Sequence, residues 1–170
     1  MPERTAKSLF EGYAGPVFRY LLRMTGDRPI AEELTQDVFL RIVRALARYE
    51  HRGRERSWVF GIARNVLLNH RRGVGRRPAH KALDEKESEV AGTATLRVAV
   101  GQALERLPEQ DREVFLLREL GGLDYAEIAE LLHITRDAVR SRIYRARLSL
   151  KESLNPTRHD QAARVEKVGA

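Results

Sequence analysis

Residues 123–150 read LDYAEIAELLHITRDAVRSRIYRARLSL. Two short helical periods flank a turn, and the second carries arginine at 136, 140, 142, 145 and 147. Asp124 stands before the first period and Glu127 three residues later, the spacing of a capping box with Asp in the Ser/Thr place. Ala129 supplies the small side chain needed where two helices cross closely. Leu132, Ile134, Val139 and Ile143 are spaced to pack the pair, and Thr135 is placed to cap the second helix. The turn residue is His133, for which left-handed backbone costs more than it does for glycine. The segment reads as a helix-turn-helix, whose second helix suits the major groove of DNA.

On that second helix Arg136, Arg140 and Tyr144 recur at steps of four, with Ser141 and Arg145 beside them. This face is expected to enter the groove, where arginine can bridge the two acceptors of guanine. Arg142 and Arg147 lie to the sides, better placed for phosphate. The bland alternative is a solvated basic helix in an ordinary bundle. The small residue, the packing positions and the arginine face together argue against it.

Charge extends this reading. The chain of 170 residues has 31 Lys+Arg against 24 Asp+Glu, a formal +7. The distribution says more than the total. Between 49 and 82 nine basic side chains face only Glu50 and Glu55, a net +7. Between 136 and 151 six face only Asp137, a net +5. Two basic blocks suggest two contacts with nucleic acid.

The rest of the chain shows helical spacing and no alternating strand pattern. Leu9–Met24 predicts a first helix, with a break or kink near Gly12, Gly15 and Pro16. Residues 25–29 form a turn. Ile30–Tyr49 predicts a second helix with Ile30, Leu34, Val38, Phe39, Ile42, Val43 and Leu46 inward. Ser57 is expected to cap a third, Trp58–Arg72, with Val59, Ile62, Ala63, Val66 and Leu67 inward. Residues 98–107 and 109–120 predict two more, the latter with Pro108 at its start and Gly121-Gly122 at its end. The fold class is therefore all-α. Two small helical domains, 8–78 and 96–154, are joined by a flexible linker at 79–95, the second contains the helix-turn-helix, and residues 155–170 form a tail expected to be disordered.

The first domain shows two further stripes. Glu33, Gln36, Asp37, Leu40 and Arg44 share the outer face of the second helix. Spacing alone leaves open whether this is a partner-binding patch or a solvated face. Trp58, Gly61, Asn65, Asn69 and Arg72 form a stripe away from the core of the third helix, beside the charged loop holding Arg52, Arg54 and Arg56. Aromatic and cationic groups together suit single-stranded DNA, although Trp58 by itself reads more simply as a buried residue.

The chain has no cysteine, which excludes disulfides and thiolate metal sites. Its five histidines show no metal-ligand spacing, and no paired carboxylates or nucleophile set suggests catalysis. No cofactor or metal is expected. Without a membrane span or the apolar core of a signal peptide, a soluble cytoplasmic protein is the expectation.

Four stretches, AEELTQDVFLRIVRALARY (31–49), RSWVFGIARNVLLNHRR (56–72), LPEQDREVFLLRELGGLDYAEIAELLHIT (107–135) and VRSRIYRARLSL (139–150), together resemble the extracytoplasmic-function group of bacterial sigma factors. The resemblance runs in family order over about residues 8–152. It implies a dissociable RNA polymerase subunit that performs no chemistry. Its first domain would bind the β′ coiled coil and recognise the −10 element; its second would read the −35 element as duplex and pack on the β flap. Glu33, Gln36, Asp37 and Leu40 fall at the polymerase-binding patch. The loop with Arg52, Arg54 and Arg56, together with Trp58, Asn65, Asn69 and Arg72, falls at the −10 and melting region. Arg136, Arg140, Ser141, Tyr144 and Arg145 fall at the −35 contacts. The resemblance also implies an anti-sigma partner. Asn69 stands where Asp is common, Ala138 where Thr is frequent, and His133 where Gly is usual. A stand-alone helix-turn-helix regulator would not need the acidic patch or the basic Trp helix. A DNA-processing enzyme would need catalytic groups that the sequence does not offer.

Overall fold

The computed structural model describes residues 5–50, 53–74 and 91–155. These form seven α-helices and one 3₁₀ turn: α1 (Ala6–Thr25), α2 (Arg28–Ala45), the turn Leu46–Arg48, α3 (Glu55–Val74), α4 (Ala91–Glu105), α5 (Glu109–Glu119), α6 (Tyr125–Leu132) and α7 (Arg136–Ser153). No strand occurs among the described residues, in keeping with the all-α expectation. Helices α1, α2 and α3 pack together, as do α4, α5, α6 and α7, and further contacts join the two groups through α1–α5, α3–α6 and α1–α4.

Most element ends follow local chemistry visible in the sequence. Asp27 accepts a hydrogen bond from the Ile30 amide and starts α2, with Pro29 in its first turn. Gly26 closes α1 at φ 68°, a left-handed conformation open to glycine. The Asp124–Glu127 capping box forms in both directions at 2.8 Å. Thr135 caps α7 through the Ala138 amide at 3.1 Å. His133 sits at φ 54°, ψ 45°.

Other ends differ. Helix α1 runs unbroken through Pro16. Proline withholds one donor, and the carbonyl four residues back belongs to exposed Gly12, which water can satisfy. Ser57 is not a cap, because α3 begins at Glu55 and the Trp58 amide already bonds the Arg54 carbonyl. Pro108 is the N-cap of α5 and not its first residue. Residues 91–95, expected as linker, are helical in α4; their small side chains carry no period that would reveal it. The linker expectation for 79–90, and the tail expectation for 156–170, lie outside the described residues.

The buried apolar side chains of both helical groups form one continuous cluster. Val17, Leu21, Val38, Ile42, Val59, Ala63 and Leu67 fill it from the first group; Val114, Leu117, Ile128, Val139 and Ile143 fill it from the second. Phe60, which lies off the predicted stripe of α3, is also fully buried, edge-on to Tyr20 at 5.8 Å. Val43, predicted inward, is exposed instead, and Phe10 of α1 is exposed as well.

His133 offers a direct test of the turn. Glycine removes the Cβ penalty of the left-handed region but adds backbone entropy to the unfolded chain. His133→Gly is expected to stabilise the protein by about 0.5–1 kcal/mol. Urea denaturation checks it, and a lowered midpoint would mean that the imidazole does something the turn needs.

Candidate nucleic-acid interface

Helix α7 separates its faces cleanly. Val139, Ile143, Ala146 and Leu150 are buried, while Arg136, Arg140, Ser141, Tyr144 and Arg145 are exposed on the opposite side. Tyr144 is 67% exposed. Arg140 bonds Asp137 one turn away at 2.8 Å, an exposed pair that water and salt loosen readily. Arg147 reaches Glu119 of α5 at 3.2 Å.

Arg145 is held differently. Its Nε and Nη2 donate to the two carboxylate oxygens of Asp111 on α5, at 3.1 and 2.9 Å. Asp111 is 4% exposed and is the buried charged residue of the described core. The hydrogen bond to Asp111, and then its charge, raise the Arg145 guanidinium further above its ordinary pKa. This two-pronged pairing fixes the guanidinium plane. The structure thus gives Arg145 a task in joining α5 to α7, which its place on the arginine face did not reveal.

That task predicts a particular phenotype. Arg145→Ala leaves the Asp111 carboxylate buried without its fork, and Arg145→Lys restores charge without the planar geometry. Both variants are expected to lower the melting temperature, Ala by on the order of 5 °C, with DNA affinity falling in parallel. Calorimetry beside a DNA-binding titration decides: loss of binding at unchanged melting temperature would make Arg145 a DNA contact and nothing more.

In the first helical group, Trp58 is half-buried and stacks on Tyr49, ring centroids 4.2 Å apart at 23°. The simple expectation of a buried tryptophan is therefore half met. The two rings open onto a cleft of about 310 Å³ lined by Tyr49, Arg54, Ser57 and Trp58 on one side and by Glu127, Glu130 and Leu131 on the other. The Ser57 hydroxyl is buried there with no hydrogen-bond partner among the described residues. Sequence reading missed it, since serine beside a charged loop signals a cap before it signals a cleft. Asn65, Asn69 and Arg72 are exposed farther along α3, outside this cleft. Arg54, which lines the cleft, and Arg56, which does not, are both exposed, and Arg52 lies outside the described residues.

A second cleft, of about 430 Å³, lies between Tyr13, Pro16, Glu55 and Arg56 and the Glu119–Gly122 segment. Tyr13 donates to Glu55 at 2.8 Å; burial and then the neighbouring carboxylate push the Tyr13 hydroxyl up to about 12, so it stays a donor at physiological pH.

Helix α2 presents Glu33, Gln36, Asp37, Leu40 and Arg44 outward together. Leu40 is 54% exposed; Val43, which the period had assigned to the core, and Phe10 of α1 are exposed as well. Among the described residues no cluster of His, Asp or Glu could hold a metal, and no helix is long and apolar enough to cross a membrane.

Capped helices around a left-handed turn, with arginines on the outer face of the second, define a protein of the helix-turn-helix class. Residues 9–77 match the family described as Sigma-70 region 2, and residues 97–150 match Sigma-70, region 4. The RNA polymerase sigma factor YlaC of Bacillus subtilis is 30% identical over 168 residues, covering 91% of this chain and 95% of that one. The ECF RNA polymerase sigma-E factor of Escherichia coli is 33% identical over 159 residues, covering 84% and 81%. Among solved structures, the sigma factor RpoE in complex with the anti-sigma factor NepR, from Bartonella quintana, aligns with TM-score 0.71 and 22% identity over 87% of this chain and 95% of that one. CnrH in complex with the cytosolic domain of CnrY aligns with TM-score 0.64 and 23% identity over 88% and 86%. At those identities the structures establish the shared fold. The chain belongs to the extracytoplasmic-function group of RNA polymerase sigma factors. It is a transcription initiation factor that directs RNA polymerase to promoters.

Proposed function

We propose that this sigma factor grips its promoter at two places while docked on core polymerase through α2. Glu33, Gln36, Asp37 and Leu40 form the core-binding patch and engage the β′ coiled coil. The α7 face of Arg136, Arg140, Ser141 and Tyr144 enters the major groove at the −35 element, Arg145 orients that helix from its edge, and the second domain packs on the β flap. Arg52, Arg54, Arg56, Trp58, Asn65, Asn69 and Arg72 serve the −10 element and the strand freed on opening. The observation that carries the reading is the joint exposure of Glu33, Gln36, Asp37 and Leu40 on one helix, apart from both basic faces.

The physical task is to make open DNA cheaper, with no bond made or broken by the sigma factor. A cleft that accepts an extruded base offsets the few kcal/mol of unstacking. Stacking on Trp58 and Tyr49 contributes about 1–3 kcal/mol per base. The Ser57 hydroxyl supplies a partner for a base edge, and the arginines hold the backbone. Nucleotidyl transfer belongs to the polymerase. The site of action is the cytoplasm, where polymerase and promoter meet, and an anti-sigma factor is the expected antagonist.

Reconstitution tests the proposal. Purified core polymerase and this chain are incubated with genomic fragments and the transcript starts are mapped. New starts sharing two spaced elements support it. Unaltered start sites in the presence of a folded, polymerase-bound chain would refute it.

A further inference from the structure

Between residues 136 and 151 a single acid, Asp137, stands among six cations. Its place on α7 is central. At 3.6 residues per turn Asp137, Ser141, Tyr144 and Leu148 recur along one line, at steps of four, three and four. The buried line Val139, Ile143, Ala146 and Leu150 repeats those steps on the opposite side of the helix. The Asp137 side chain is 87% exposed, and Ser141, Tyr144 and Leu148 are exposed along the same line. Arg136 and Arg140 flank the line on one edge and Arg145 on the other. The middle of the face that meets the groove is therefore not cationic, and it begins with a carboxylate.

Helix stability does not account for that carboxylate. Thr135 already caps α7 through the Ala138 amide. The Arg140 partner of Asp137 is itself 67% exposed, so water and salt screen the pair. An acid in the first turn also gains from the helix dipole, but salt weakens that gain in the same way. Against these small terms stands a cost. A carboxylate carried into a groove walled by phosphate is repelled by it. An acceptor at that place is tolerated best where it meets a donor.

Base edges supply such a donor. In the major groove guanine shows two acceptors, N7 and O6, and its cytosine partner shows the N4 amino group beside them. Arg140 Nη1 donates to Asp137 Oδ1 at 2.8 Å, which sets a guanidinium fork and a carboxylate side by side. One fork nitrogen holds the carboxylate, and the others are left for guanine. A donor next to an acceptor is the complement of a G·C pair. Thymine turns its O4 acceptor to the groove, so an A·T pair sets an acceptor against the carboxylate or gives the fork fewer partners. Rejection of that kind serves specificity as much as attraction does. The first residues of a recognition helix are the ones that reach base edges, and Asp137 is the second residue of α7.

We propose that Asp137 and Arg140 act together as the reader of one G·C base pair in the −35 duplex, with Arg140 on guanine and Asp137 on the cytosine amino group. Asp137 is thereby a specificity-determining residue. The inference rests on the −35 reading above and deepens it, because it names the base pair that this part of the helix selects. The acid exchanges affinity for selectivity. It weakens binding to every duplex through its charge, and least where a cytosine amino group stands opposite.

The test uses the full chain bound to core polymerase and a promoter found by the mapping described above. Each base pair of its −35 element is replaced in turn by the other three, and relative affinities are measured by competition. Three variants are compared with wild type. Asp137→Asn keeps side-chain shape and removes the charge, Arg140→Ala removes the fork, and Glu152→Gln removes a charge from an exposed site at the far end of α7. Wild type is expected to prefer G·C at one pair by about tenfold. Asp137→Asn should lose most of that ratio at that pair alone and bind random duplex more tightly than wild type. Arg140→Ala should lose the ratio at the same pair, and Glu152→Gln should keep it. A purely structural acid would change the melting temperature and leave base preference alone. An Asp137→Asn chain that keeps the ratio, or loses preference at every pair alike, overturns the proposal. So does loss at different pairs in the Asp137 and Arg140 variants. A wild-type chain with no preference at any −35 pair overturns the promoter reading and this inference with it; a preference that only Arg140→Ala abolishes removes Asp137 and leaves the promoter reading standing.

Discussion

Asp37→Arg is expected to weaken binding to core polymerase about a hundredfold while leaving folding stability within about 0.5 kcal/mol of wild type. The stability half follows from position. Asp37 is exposed on α2, and the apolar stripe that holds the helix down, Leu34, Val38 and Ile42, faces away from it. The binding half follows from charge reversal inside a patch. A carboxylate at the centre of an interface contributes to docking, and a guanidinium in its place adds like-charge or desolvation cost where attraction stood. Leu40 gives the apolar counterpart at the same surface. Fluorescence anisotropy with labelled chain and unlabelled core, beside a urea titration, checks both halves. Unchanged affinity would remove Asp37 from the patch; a collapse of stability would show that α2 is held by more than its apolar stripe.

Affinity for duplex DNA carrying the −35 element should fall about a thousandfold between 50 and 200 mM salt, if roughly six phosphates are contacted. Helix α7 carries cations suited to this beside its base-reading face, among them Arg142, Arg147 and Lys151. Each neutralised phosphate releases condensed counterions, so the logarithm of affinity falls linearly with the logarithm of salt. Two kinds of arginine then separate. Arg140→Ala should lose about 1–3 kcal/mol of preference for the correct base, with little change in salt slope. Arg147→Ala should weaken all sequences alike and reduce the slope by about one. The duplex contact is measurable on the free chain because the α7 face is exposed even with the domains together. A flat salt response would separate the basic helix from DNA reading altogether.

Several features were legible residue by residue. The Asp124–Glu127 box, the Thr135 cap and the left-handed His133 follow from interactions spanning three or four residues, and all three form as read. The inward stripes of α2 and α7 follow from the 3.6 period. The reading failed where a residue's neighbours come from another helix. Phe10 and Val43 fit an apolar period yet lie at the rim, and Phe60 falls off its stripe yet is enclosed. Ser57 looked like a cap because the sequence does not show that Glu55 and Arg56 are already helical.

The sequence alone determined an all-helical chain with a helix-turn-helix and two basic faces, because caps, periods and charge runs are local and each residue carries its own share of them. Tertiary structure alone decided that Arg145 is clamped by Asp111, thirty-four residues away. It decided likewise that Glu113 and Glu130 meet Arg64 and Arg54 across the two helical groups. A charged side chain announces its sign and reach in the sequence. Which opposite charge it meets depends on how separate helices pack, and that packing is set by the shared apolar core.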